Sequence, residues 1–459
     1  MSETITTQAV LFPSIFARPV QASFDQANGS SDGGALLLKA ADRSMGLIDR
    51  LAASVVDGRQ PGKIAHSFAD LLSQRIYAIA CGYPDGNDAE RLASDPIHKL
   101  LAERDPVRDR DLASQPTLSR FENSMSPRDL YRLGCALTST VLDHHKARLR
   151  GRVRLVTIDL DPTDDPTHGA QQLSFFNGHY DTWCYLPVVG FLTFNDEPDQ
   201  HLFTAILRPG NASASLGAIG LLRLILRRLR TTFPNALFRV RLDGGFASSE
   251  MFDFLDEQLD LDYLVAMARN KVLSRRSARL MARVRKFSRL SGETEHAYTD
   301  CLYGAKRWKQ KRRVIIKAEV VQHPGRAMKD NARFVVTNMS GTPQSIYEEA
   351  YCARGEIENR IKELHHGMSI DRTSCCDFFA NQFRVLLTAA AYVLMQTIRG
   401  AAAKTSLARA QVSTLRERLI KLGARVIATA RRVVVHLPKS FPDRNDWISI
   451  AARLNHAIR

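Results

Sequence analysis

No Cys-x-x-Cys pair occurs in the 459 residues, and the seven cysteines are odd in number and scattered. Those spacings argue against a disulfide framework and against a zinc site. Cys375 and Cys376 are neighbours, with His365 and His366 upstream, but two adjacent cysteines do not readily turn toward one ion. No uninterrupted apolar run reaches the roughly 18 to 20 residues that cross a bilayer. The opening MSETITTQAVLF has no charged stretch leading into an apolar core. The expectation is a cytoplasmic, nucleoid-associated protein with no membrane partner. Internal repeats and low-complexity tracts are missing as well.

Acid is in short supply too. Asp and Glu number 48 against 64 Lys and Arg, a formal net charge of +16. The average field therefore attracts polyanions, and nucleic acid is the leading partner. Against that shortage, the stretch VRLVTIDLDPTDDPTHG (153–169) holds Asp159, Asp161, Asp164 and Asp165. A concentration of acid in a basic chain needs a reason.

The chain is too long for one ordinary core, so a main domain with accessory parts is expected. Residues 1–34 read as an irregular lead ending in NGSSDGG. From 35 to 150 the apolar spacing is helical throughout. After RLRGR the period changes to two. RLVTIDLD (154–161), TWCYLPVVGFLTF (182–194) and HLFTAILRPG (201–210) read as strands, followed by the amphipathic helix LGAIGLLRLILRRLRTTFP. The strand ALFRVRLDGG (236–245), the helix EMFDFLDEQL and the strand DYLVAMARN (262–270) come next. Over 151–270 this describes an α/β mixed sheet flanked by helices. Residues 271–341 are basic and β-leaning. TPQSIYEEAYCARGEIENRIKELHHG opens 342–400 as one long helix closed by Gly367. The remainder, 401–459, reads as basic and helical.

Three carboxylates stand in distinct contexts. Alternation along the first strand puts Val156, Ile158 and Leu160 on one face and Thr157, Asp159 and Asp161 on the other. Asp161, at the strand's end, can reach out of the sheet, and an acid on that side needs a partner or a metal. Asp164 and Asp165 suit capping of a turn or helix start at Pro166. Asp243 ends another strand and is followed by Gly244 and Gly245, which permit a sharp turn and leave room for a large ligand. In the helix, Tyr351, Arg354, Glu358, Lys362 and His365 are spaced by three, four, four and three, and so form one polar stripe. Alone, that stripe is equally a solvated face. Together, two strand-end aspartates and a helical glutamate make an oxygen cluster of the kind that holds magnesium. Two such ions roughly 3.5 to 4 Å apart serve phosphodiester chemistry.

The motifs LDLDPTDDPTHGAQQLSFFNGHYDTWCYLPVVGF, RLDGGF and YCARGEIENRIKEL, in that order, resemble those of the DDE transposases of bacterial insertion sequences. Within them the chain is most similar to the thirteen-eighty family, in the group with a Y-x2-R-x3-E-x6-K helix. The resemblance covers nearly the whole chain. It implies a ribonuclease-H-like mixed-sheet core, a β-rich insertion before the glutamate, and helical regions at both ends. The implied domains are a DNA-end-binding region (35–150), a first core part (151–270), the insertion (271–341), a second core part (342–400) and the tail (401–459). The implied metal-binding triad is Asp161, Asp243 and Glu358, holding two Mg2+ ions or Mn2+ in their place. Asp161 matches the group's Asp-x-Thr pattern through Pro162 and Thr163, with Asp159 as the rival first aspartate. Tyr351 and Arg354 would contact DNA phosphate. The group's lysine falls on His365, charged only below a pKa of about 6.5, and Lys362 one turn earlier can replace it. Trp308, between Arg307 and Lys309, would stack on a flipped base, or equally be a core tryptophan. The implied partners are terminal inverted repeats and target DNA, bound by a homodimer that performs cut-and-paste transposition. Two alternatives predict different products: a metal-dependent nuclease without strand transfer, and a catalytically inactive DNA-binding repressor.

Overall fold

The computed structural model describes residues 10–12, 15–323 and 325–457. The chain divides into two compact units. One comprises Asn123–Val393 with Ala53–Val55; the other comprises Met1–Ala52, Val56–Glu122 and Leu394–Arg459.

The larger unit is built on an eight-stranded sheet. Its strands are β1 (Leu155–Pro162), β2 (Val188–Phe194), β3 (His201–Ile206), β4 (Leu237–Leu242), β5 (Leu261–Met267), β6 (Glu295–Tyr303), β7 (Arg312–Val321) and β8 (Lys329–Thr337). Their order across the sheet is β6-β7-β8-β5-β4-β1-β2-β3. β1 and β4 are parallel, as are β4 and β5, whereas β1-β2, β2-β3 and β5-β8 are antiparallel. Along β1 every residue from Val156 to Asp161 is buried, as a central strand covered on both faces requires. The helix Ala218–Thr232 buries Ala218, Leu222, Ile225, Leu226 and Leu229, the spacing of one apolar face. This is the ribonuclease-H-like mixed-sheet core of the α/β class that the sequence implied.

Several elements depart from the sequence reading. The stretch 182–194 is two strands, Thr182–Tyr185 and β2, broken around Pro187, which cannot donate to a ladder. Asp165 caps nothing: Asp165–Pro166 is a short strand, and the buried Asp165 carboxylate accepts from Thr373 Oγ1 at 2.9 Å. The basic segment 271–341 begins with a helix, Lys271–Ser291, which buries Leu273, Ser277, Met281, Val284 and Ser288 at intervals of three and four. Its many arginines face away from that stripe, so charge density hid a helical period. The three strands that follow extend the main sheet through β8 on β5. The expected long helix starts as read, with Thr342 capping Ser345 N and Pro343 in its first turn. It then runs as π over Ile346–Tyr351, 3-10 over Cys352–Gly355, α over Glu356–Lys362 and π over Glu363–Gly367. Arg241 Nη1 donates to the Ala350 carbonyl at 3.1 Å, a side-chain intrusion of the kind that breaks a helical ladder.

The smaller unit is mostly helical. Its helix Phe68–Ala80 is closed at the start by a reciprocal Ser67–Asp70 capping box. The tail read as helical contains strands Ala424–Ala428 and Val433–His436, and Ala424–Ala428 also pairs with Gly29–Ser30. The run Ala-Arg-Val-Ile-Ala alternates buried and exposed positions after Gly423, a period of two that the flanking charge obscured. The lead is not wholly irregular either, since Val10–Phe12 pairs with Val20–Ala22. One helix, Phe378–Ala401, is long and apolar enough to cross a membrane by composition; 83% of its apolar window is buried inside the protein.

Candidate active site

β1 and β4 run in parallel register with Leu160 opposite Leu242. Asp161 and the residue following Leu242, Asp243, therefore leave the sheet together at the carboxyl ends of neighbouring strands, about 4.8 Å apart in backbone. Open α/β sheets bind ligands at such ends. Asp243 caps the turn Gly244–Phe246, its Oδ1 accepting from Gly245 N at 3.0 Å. A Cβ on Gly245 would stand 2.7 Å from Ala214 Cβ and 3.2 Å from Asp243 Oδ1, so the second glycine is needed for the turn to pack.

Asp161 is 9% exposed, and Arg354 Nη2 lies 2.7 Å from its Oδ1. Burial pushes the Asp161 carboxyl up, the Arg354 charge pulls it back, and the Asp243 charge pushes it up again, leaving its pKa at about 7. For Arg354, burial works against the cation, but Asp161, Tyr351 and Asp243 more than restore it and its pKa is raised. The Nε and Nη2 atoms of Arg354 are buried without a hydrogen-bond partner: the contact with Asp161 is an ion pair off hydrogen-bond geometry. Tyr351 packs on Tyr347 at 5.4 Å, and burial raises its pKa, so its hydroxyl remains a donor.

The irregular helix is tied to the end of β1 at two points. Arg354 meets Asp161, and farther along His365 Nε2 meets Thr163 Oγ1 at 2.9 Å while its Nδ1 faces Asp371 Oδ2 at 3.4 Å. Glu358 lies between them, one turn beyond Arg354, with an exposed side chain beside the fully buried Ile357. Lys362 is exposed.

The rival Asp159 sits differently. It is 0% exposed, receives Arg241 Nε at 2.7 Å and Nη2 at 2.6 Å, and accepts from Gln200 at 3.1 Å. Arg241 is its register partner on β4, so the pair is a salt bridge inside the sheet. Trp308 is half-buried against Phe252 (4.8 Å) and Tyr303 (5.4 Å), with the Arg312 guanidinium 4.9 Å over its ring. Arg307 and Lys309 are exposed, and Lys309 pairs with Asp253 at 3.1 Å. Among the described residues, no hydrogen bond or ion pair ties these three to the acids.

Sequence reasoning missed Tyr180 and Arg208. Burial raises the Tyr180 pKa to about 12, and the charges of Asp164, Asp161 and Asp243 add to it. Arg208 is 5% exposed and, among the described residues, pairs with no carboxylate. It donates to the carbonyls of Leu186, Ser213, Ala214 and Leu216, and so holds the loop that packs on Gly245. No spacing marks either residue.

The all-oxygen donor set suits hard divalent cations, and the Asp161 pKa is raised by burial first and by the Asp243 charge, against the pull of Arg354. Among the described residues, Asp161, Asp243 and Glu358 do not close to within 4.8 Å of one another, whereas Asp32, Cys81 and His98 of the smaller unit do. That second group is already satisfied. Asp32 bonds His98 Nε2 at 2.9 Å and Lys421 Nζ at 2.8 Å, and burial holds the Cys81 thiol far above its usual range, away from the thiolate that metals take.

Comparison with known proteins agrees with the motifs. A family model described as "Transposase DDE domain group 1" matches residues 12–458. Among solved structures, the chain is similar to a piggyBac transposase seen by cryo-electron microscopy in a synaptic complex with hairpin DNA. The likeness has 8% identity and a TM-score of 0.40, over 92% of this chain and 81% of that one. A comparison with curated proteins finds no match. The chain belongs to the family of DDE transposases, metal-dependent enzymes that cleave DNA and transfer its strands.

Proposed function

We propose that this transposase moves an insertion sequence by cutting and pasting: a homodimer binds the terminal inverted repeats, cleaves at their outer edges and joins the freed 3′-hydroxyls to target DNA. The observation that carries the reading is the pair Asp161 and Asp243 at adjoining strand ends, where burial and mutual repulsion hold one carboxyl near neutral pH.

Asp161, Asp243 and Glu358 are the proposed ligands for two Mg2+ ions, with Mn2+ able to replace them; Asp161 rather than Asp159 is the first, because Asp159 is consumed by Arg241. Divalent ions held by these carboxylates would supply Lewis-acid stabilisation of charge on the attacking oxygen and the phosphate. The chain's own residues do the rest. Arg354 supplies buried positive charge with two nitrogens free of hydrogen bonds, which suits a phosphate oxygen arriving beside Asp161. Tyr351 offers its protonated hydroxyl to the same phosphate. Lys362 is free to follow the backbone, while His365 serves through Thr163 by pinning the helix to β1. Arg307 and Lys309 flank the DNA path, and Trp308 is read as a packing tryptophan of that region rather than a stacking one.

The test is incubation of the purified chain with a labelled fragment spanning the inverted repeat beside its own gene, with magnesium, next to Asp243→Asn. Metal-dependent cutting at the repeat's outer edge followed by joined product is expected, and both are lost in the variant. Nicks without joining would make it a nuclease; tight binding without cutting would make it a repressor.

A further inference from the structure

Two segments lead away from the acids. One runs from Asp161 through Thr163 and Asp165 to Gln172; the other leaves the helix of Glu358 and runs through His365 and Asp371 to Cys376. Side chains and backbone fasten them together at successive points. Thr163 Oγ1 meets His365 Nε2 at 2.9 Å. Next, Thr373 Oγ1 lies 2.9 Å from both Oδ1 and Oδ2 of Asp165. Gln171 Nε2 donates to the carbonyls of Thr373 and Cys375, the second at 2.9 Å, and Gln172 N donates to Cys376 O at 3.0 Å. The contact of Asp165 with Thr373 is sealed from water on both sides, at 1% and 5% exposed.

The position of Asp165, in the same acid-rich turn as Asp161, would suit a further cation ligand. Its surroundings argue otherwise. Burial pushes its carboxyl well above the usual range; the Thr373 hydrogen bond pulls it back, and the charges of Asp371 and Asp164 push it up again against the pull of Arg384. A carboxyl held neutral is a donor and an acceptor, with no charge to offer an ion. The geometry is that of a latch. Asp165 is anchored by its pairing with Tyr185 in a small second sheet. Thr373, 208 positions away, lies on the segment that carries the glutamate's helix onward. That segment is tied back to its helix by Ser369 N on His365 O and Ile370 N on Leu364 O, both at 3.0 Å. We propose that Asp165 is a positioning residue for DNA cleavage: by binding Thr373 it locks the segment leaving the Glu358 helix onto the segment leaving the Asp161 strand, and so fixes the glutamate relative to the strand-end aspartates. The inference rests on the transposase reading and adds to it a residue that acts through another.

Two measurements on the full chain test this. Asp165→Ala and Thr373→Val break the latch; Asp165→Asn and Thr373→Ser keep it, since an amide or a serine hydroxyl can still make the bond. The first measurement is cutting of a labelled terminal-repeat duplex in magnesium, at a temperature where melting curves show every variant folded. Expected for each breaking variant is a fall of about tenfold to a hundredfold in kcat, with KM for DNA within about twofold of wild type. The double variant Asp165→Ala with Thr373→Val should be no worse than either single one, and both conservative variants should cut nearly normally. If Asp165→Asn is as inactive as Asp243→Asn, the residue is a cation ligand; if Asp165→Ala keeps the wild-type kcat, the contact is packing alone. Either result overturns the proposal. The second needs no cutting: amide hydrogen exchange over 356–373. Expected is exchange about tenfold faster in Asp165→Ala, with protection restored in Asp165→Asn. Loosening in a chain that cuts no DNA supports the latch while sinking the catalytic reading. Unchanged protection in Asp165→Ala overturns the latch whether or not the enzyme cuts.

Discussion

Asn substitution at Asp159 and at Asp161 should have opposite consequences, although the two stand two residues apart on one strand. Asp159 is 0% exposed and Arg241 5%. Neutralising one member of such a buried pair strands the other charge, at a cost of about 3 to 5 kcal/mol, or on the order of ten degrees in melting temperature for a unit of this size. Asp161 works the other way. Its folded pKa of about 7 lies above its unfolded value, so its contribution to stability is fully present below about pH 4 and is lost as pH rises through 7. At pH 8 without metal the ionised carboxylate is a burden of at most about 4 kcal/mol. Asp161→Asn removes that burden at the expense of Arg354's ion pair, so its stability should equal or exceed wild type while cutting is abolished. Urea unfolding at pH 8 in EDTA, beside cleavage of an end-labelled repeat in magnesium, measures both. If Asp159→Asn folds like wild type and fails to cut, while Asp161→Asn cuts, the roles assigned here are reversed.

Acid should weaken the larger unit through the helix Pro127–Leu149. Burial lowers the His144 pKa to about 4 and also pushes His145 well below the usual imidazole range, so stability is intact above about pH 6.5 and falls by at most about 3 kcal/mol for His144 alone as pH drops to 4; urea midpoints that do not move between pH 7 and 4.5 would refute this. Magnesium should raise the melting temperature of wild type, by the equivalent of about 2.7 kcal/mol at a hundredfold excess over Kd, and leave Asp243→Asn unmoved; equal shifts in both would place the ions elsewhere. Gly34→Ala should unfold the smaller unit, because its Cβ would fall 1.7 Å from the Leu419 carbonyl; proteolysis patterns identical to wild type at 25 °C would show that the backbone yields.

The strands that carry Asp161 and Asp243 and the start of the helix that carries Glu358 were legible because their signals are local: alternation, a strand-ending Asp-Gly-Gly, and a Thr-Pro helix start. What stayed hidden depends on pairing in space. Nothing in the sequence says that Asp159 faces Arg241, 82 positions away, and that register is what separates the structural aspartate from its neighbour. The helix Lys271–Ser291 was obscured because two of the five positions on its buried stripe are serines, which weakens an apolar period. The strand Ala424–Ala428 was lost for the opposite reason, as a short alternation between arginines looks like part of a helix's charged face. The stripe Tyr351 to His365 was read at a constant 100° per residue, and π and 3-10 turns alter that phase, so its members take separate partners instead of one surface.

Those separate partners explain why a chain so rich in cations concentrates acid where it does. Two buried cations of the same unit are committed by geometry: Arg241 to Asp159 and the Ala350 carbonyl, and Arg208 to four carbonyls. Among the described residues, Arg354 is the cation ion-paired with Asp161. Burial first, and then the charge of Asp243 working against that of Arg354, hold the Asp161 carboxyl near pH 7 inside a protein with a surplus of cations. A divalent cation is drawn to such a carboxyl, and a phosphate is drawn to everything around it. Were divalent ions held there, they would neutralise the acids and weaken the Arg354–Asp161 ion pair, leaving the guanidinium for the phosphate role proposed above.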